Sequence, residues 1–138
     1  MSEALDNNLF EARRWLKQAE EHLAVAEWNG QGRFWPAACF HCQQAGELAM
    51  KAVLLREGER NLRVHTVLGL LRRAAEYDAA LRPLEPKARR LDRYYIGTRY
   101  PNGLGEGTAS DYYDEADFQE ARSAAAELIE MAHHRLAP

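Results

Sequence analysis

Apolar residues recur along the chain at spacings of three and four, the repeat of helices with a buried face, and no stretch keeps the two-residue alternation of a strand. Leu9, Trp15 or Leu16, Ala19, Leu23 and Ala26 mark the first such segment, predicted over about 7–28, with Asp6 or Asn7 placed to cap it. Asn29-Gly30-Gln31-Gly32 follows, and two glycines in four residues predict a break there and a reversal of the chain. A second helix is predicted over about 34–57, with Pro36 in the first turn, where no backbone donor is needed, and Gly58 at its close. Trp35, Ala38, Cys39, Cys42, Gly46, Ala49 and Val53 form one stripe, while Phe40, Leu48, Leu54 and Leu55 fall on other faces. A helix apolar on more than one side belongs at the centre of a bundle or between two subunits.

His65 and Thr66 open a shorter predicted helix reaching about residue 75, carrying Val67, Leu68, Leu70 and Leu71. Pro83 and Pro86 bracket the entry to a fourth, over about 87–98, which Tyr100-Pro101 ends because the residue before a proline resists helical geometry. Residues 101–110 hold three glycines and read as a loop. The last helix is predicted over about 115–136, after capping carboxylates between Asp111 and Asp114, with Phe118, Ala121, Ala125, Leu128, Ile129 and Ala132 inward. The expected fold is all-α, an up-and-down bundle of four to five helices, with residues 1–138 as one domain.

Composition changes this picture little. The 138 residues are 46% hydrophobic and 28% charged with a formal net charge of -3, ordinary values that exclude neither neutral partners nor a locally basic face. Arginine supplies 15 of the 18 basic residues, which suits planar contacts to carboxylate or phosphate but equally follows from a GC-rich genome. No run reaches the roughly 18 apolar residues of a membrane span, and residues 1–8 lack the plan of a signal peptide. The expected location is the cytoplasm, with no membrane involvement.

Most chemical signals weaken on inspection. Cys39 and Cys42 lack the two further ligands zinc would require and read as buried thiols. Glu130 and His133 give one Glu-x-x-His where a di-metal bundle needs two, so no metal and no cofactor are expected. His133 and His134 suit the dipole at the end of the last helix. Arg60 followed by His65 has the make-up of a metal-independent ribonuclease pair, yet His65 also sits where a helix starts.

Two clusters stand out. Gln43, Glu47 and Lys51, spaced by four with Gln44 adjacent, place an amide, an acid and a base on one helical face, which as a plain surface ladder contributes about 0.3–0.5 kcal/mol. Asp92, Tyr95 and Arg99 share a face of the fourth helix, with Tyr94 and Tyr100 nearby, and interleaved rings and cations can hold phosphates and stack bases; the plainer reading is a solvated face with tyrosines turned inward.

At these clusters the sequence resembles the HEPN family, the higher eukaryotes and prokaryotes nucleotide-binding domain. The resemblance rests on Gln43-Gln44-Ala45-Gly46-Glu47-Leu48-Ala49-Met50-Lys51-Ala52, on His65-Thr66-Val67-Leu68-Gly69-Leu70-Leu71 and on Leu91-Asp92-Arg93-Tyr94-Tyr95-Ile96-Gly97-Thr98-Arg99-Tyr100-Pro101, in that order within about residues 9–136. It implies a helical bundle of the compact stand-alone prokaryotic branch, a homodimer, and a minimal nucleotidyltransferase as partner in a system of toxin-antitoxin type. In the family's ribonucleases an Arg-x4-6-His motif lies late in the bundle. Arg60 and His65 fit its letters but lie between the second and third helices. The expectation is therefore a non-catalytic binding module, engaging its partner, and a nucleotide or RNA phosphate, through Gln44, Glu47, Lys51, His65, Asp92, Tyr95, Arg99 and Tyr100. The alternatives are a metal-independent ribonuclease using Arg60 and His65 or Arg99 across a dimer cleft, and a pure assembly scaffold.

Overall fold

The computed structural model describes residues 3–137, and among them there are helices and turns but no strand. Five α-helices make the bundle: α1 (Glu3–Gln31), α2 (Trp35–Arg56), α3 (Val67–Ala75), α4 (Glu85–Asp92) and α5 (Glu115–Leu136). α2 is the axis, packing most extensively against α1 and α5 and over smaller areas against α3 and α4. Of its 22 residues, 14 are buried, which is why its apolar positions do not confine themselves to one stripe.

α1 runs through Asn29 and Gly30 to Gln31, so the predicted break arrives three residues late. A Cβ on Gly30 would lie 2.5 Å from the Phe118 ring of α5, so this glycine admits a neighbour. The reversal is made by Gly32, Arg33 and Phe34, with Arg33 in the left-handed region at φ 65° and its N–H donating to Gly30. So short a turn folds α1 and α2 into an antiparallel hairpin.

α3 begins at Val67 rather than at His65: Thr66 is the N-cap, its hydroxyl accepting from the Gly69 N–H. α4 is shorter than predicted, starting at Glu85 and ending at Asp92, with turns carrying the chain on to Tyr100. Pro83 falls in a 3-10 segment, Ala79–Leu84, that leads directly into α4. α5 has its predicted bounds, and Asp114 and Asp117 form a reciprocal capping box at its start.

One core joins all five helices, from Ala12, Leu16 and Ala19 of α1 through Met50 and Leu54 of α2 to Leu70, Leu91 and Leu128. Gly46 is its closest packing point, since a Cβ there would lie 2.7 Å from Leu91, 3.3 Å from Leu128 and 3.5 Å from Val67. Cys39 and Cys42 are free and buried, and burial pushes both thiols up, that of Cys42 to about 12.

Candidate functional site

Gln43, Glu47 and Lys51 do not form a surface ladder. All three are buried, with Gln43 fully enclosed, Glu47 6% exposed and Lys51 5%. The surroundings account for this: Lys51 has the Trp15 ring of α1 and His65, just ahead of α3, beside it, and charges enclosed there must be paired. The Lys51 ammonium donates to Glu47 at 2.8 Å, Gln43 donates to the other Glu47 oxygen at 3.4 Å, and Gln44 donates to the Gln43 carbonyl at 2.7 Å. Lys51 also lies 3.2 Å from His65 Nδ1 and 5.9 Å above the Trp15 ring. An ammonium only donates, so His65 Nδ1 accepts and its proton sits on Nε2. With its side chain 58% exposed, His65 is where this chain of polar groups meets solvent.

Asp92 completes the cluster by holding α3. Its carboxylate accepts from the N–H groups of Val67 at 2.7 Å and Leu68 at 3.0 Å, satisfying helix donors that otherwise lack a partner. Burial lifts the Asp92 carboxyl above its ordinary range, the two backbone bonds pull it back, and the nearby charge of Glu47 adds to the rise.

The second cluster gathers around Arg99. Its guanidinium carbon lies 4.6 Å from the Phe40 ring, 4.6 Å from that of Tyr95 and 5.0 Å from that of Tyr100, and Nε donates to the Tyr95 carbonyl at 2.9 Å. Three rings fix the plane of the fork, while the side chain has no carboxylate partner among the described residues. Phe40 and Lys51 are eleven positions apart on α2, roughly 16 Å along its axis. The sequence-derived set therefore divides into a closed polar chain at one end of α2 and a cation held by rings at the other.

A family model for the HEPN domain matches residues 12–135. The chain belongs to the HEPN family. "Putative toxin MJ1304" of Methanocaldococcus jannaschii is 30% identical over 133 residues, covering 90% of this chain and 87% of that protein. Among solved structures, TT1696 from Thermus thermophilus superimposes with a TM-score of 0.84 at 33% identity, over 90% of this chain and 97% of its own. ST0689, described as an archaeal HEPN homologue, gives 0.75 at 31% identity, over 91% and 98%.

Within this HEPN bundle the two halves of the Arg-x4-His pair go separate ways. Arg60 donates to Asn8 at 2.9 Å and to the carbonyls of Leu55 and Glu59, tying the α2–α3 connection to α1, while His65 turns to Lys51. No three His, Cys, Asp or Glu side chains come together as a metal-binding group among the described residues.

Sequence reasoning missed Phe40 as a partner of Arg99, although Phe40, Gln44, Glu47 and Lys51 follow helical spacing and so share a face. It also missed a pair of histidines between α1 and α2, His22 and His41, whose Nδ1 atoms are 3.0 Å apart. Their ring centroids are 5.2 Å apart with the ring planes 26° from parallel, close to that distance plus two ring radii, so the rings meet edge to edge through these nitrogens. One ring must donate and the other accept. The signal was available: His22 and His41 are nearly equidistant from the turn of the hairpin, as are Trp15 and Leu48, which line one cleft.

Proposed function

We propose that this HEPN protein is a binding module of a toxin-antitoxin-type pair, that it pairs with a second copy of itself and with a minimal nucleotidyltransferase, and that it binds the phosphate of a nucleotide or RNA at Arg99. The observation that carries this reading is the Arg99 guanidinium, oriented by Phe40, Tyr95 and Tyr100 and lacking a carboxylate partner among the described residues. Other arginines, among them Arg13, Arg63, Arg82 and Arg89, also have no ion pair among the described residues, and what distinguishes Arg99 is the three rings that orient it. An immobilised planar fork loses little freedom on meeting a phosphate. Glu47, Lys51 and Asp92 serve in this reading as the internal frame that fixes α2, α3 and α4, and His65 and Gln44 present its outer end to a partner.

A ribonuclease is the second reading, favoured by the toxin name of the M. jannaschii relative. Against it stands the engagement of Arg60 by Asn8 and by backbone carbonyls. Two measurements separate them. Binding predicts a melting temperature raised by AMP in the wild type and unmoved in Arg99→Ala, together with retention of a co-expressed minimal nucleotidyltransferase. RNA degradation that survives a chelator and disappears in His65→Ala would replace the binding reading with the enzymatic one.

A further inference from the structure

Arg99 shares a cleft with a second arginine, Arg33, that the fold holds in a costly conformation. Arg33 closes the α1–α2 turn at φ 65°, a left-handed backbone that glycine or asparagine adopts more readily, and its side chain has no ion-pair partner among the described residues. Arg33 and Arg99 line one cleft of about 390 Å³, with Phe34 and Tyr100 beside them and Thr108 and Ser110 on the facing loop. That volume is within the roughly 300–1,000 Å³ of small-ligand sites. Phe34 is 65% exposed and Tyr100 50%, large apolar faces left in water beside two unpaired cations. The carboxylate of Asp111 lies nearby and accepts from the Thr108 N–H at 3.0 Å.

The turn cannot drift. Its geometry is fixed by backbone bonds from Arg33 to the Gly30 carbonyl at 3.0 Å and from Phe34 to that of Asn29 at 2.9 Å, so both side chains project from a rigid base. We infer that this cleft takes one nucleotide unit, its phosphoryl group between the guanidinium groups of Arg33 and Arg99 and its base against the exposed ring of Phe34. The chemistry follows from the lining: two planar donor forks suit the tetrahedral oxygens of a phosphate, and a largely exposed aromatic face is a stacking surface for a base. Hydroxyls at Thr108 and Ser110 add neutral contacts for a sugar. This rests on the reading that Arg99 meets phosphate, and it adds the second cation, the stacking ring and the unit recognised.

Binding of AMP and of a short oligoadenylate RNA to the full chain, followed by fluorescence or calorimetry at low salt, tests it. Phe34→Ala and Arg33→Gly should each weaken the better of the two probes about tenfold. Arg33→Gly also relieves the left-handed backbone, so its melting temperature should stay level or rise, and a loss of binding cannot then be ascribed to unfolding. AMP and oligoadenylate binding equally well would identify a free nucleotide or a strand end as the ligand, while oligoadenylate alone would identify a strand interior. Binding lost in Arg99→Ala but unchanged in Arg33→Gly and Phe34→Ala would overturn the cleft and leave the phosphate role of Arg99 standing. Binding of neither probe to the wild type overturns both, while retention of the nucleotidyltransferase is read separately.

Discussion

Lysine at position 51 shows what a single buried charge does to this fold. An ammonium enclosed among apolar side chains loses its hydration, and what makes Lys51 tolerable is the Glu47 carboxylate at 2.8 Å, with Gln43 and Gln44 holding that carboxylate in turn. The balance of such a pair is fragile in one direction only. Lys51→Met should lower the unfolding free energy by about 3 kcal/mol, because Glu47 stays buried without its cation, whereas Glu47→Leu combined with Lys51→Met should recover most of that loss. Denaturant titration of the two single variants and the double variant measures this. Additive losses would show that the two groups do not depend on each other. That Glu47 and Lys51 would interact was legible in their spacing; that they would do so out of water was not, because periodicity assigns a residue to a face without saying what covers it.

At the scale of elements, glycines decide how closely helices approach. Gly46 lies midway along α2 where Val67, Leu91 and Leu128 converge, and alanine there would gain about 1 kcal/mol of helix propensity while pressing on three buried side chains of α3, α4 and α5. Overpacking of a closed core costs about 1–3 kcal/mol, so Gly46→Ala should be destabilised by about 1 kcal/mol net despite its better propensity. Thermal denaturation reads the sign directly, and a more stable variant would mean that Leu91 and Leu128 have room to yield. Gly30 acts in the same way inside α1, where it receives the Phe118 ring; this is why a residue that read as a helix breaker is helical. The predicted ends of α3 and α4 moved for a related reason. Thr66 and Asp92 satisfy the first N–H groups of α3, one from within the segment and one from 25 residues away, and only the first is visible to a local pattern. Asp92 is also where α4 stops, its carboxylate committed to α3.

For the whole molecule, His22 and His41 couple the two long helices to pH. Burial holds both rings below the ordinary 6.5, His22 against the raising pull of Glu21 and Glu47, and His41 with a further push down from His22 itself. In the unfolded chain these imidazoles take up protons near 6.5, while the folded protein resists until lower pH. The unfolded state then binds more protons, so their contribution to stability is complete above about 6.5 and is lost as pH falls below it. The melting temperature should drop between about pH 7.5 and about pH 5.5, and His22→Gln should flatten that slope. An identical slope in the variant would assign the pH dependence to other groups.

Local pattern was enough for the class of the molecule: an all-α bundle of four to five helices, a second helix apolar on more than one side, the start of α5 at its capping carboxylates and the family motifs. These follow from local rules, since a helix declares itself through spacing and caps within a few residues of any point. Which faces meet came from the packing of the folded chain. It enclosed Glu47 and Lys51, drew Arg60 to Asn8 and His65 to Lys51, set Arg99 among the rings of Phe40, Tyr95 and Tyr100, and brought Arg33 to the same cleft. Each of these depends on where distant segments come to rest, and that is fixed by the packing of one helix on another rather than by any pattern within one.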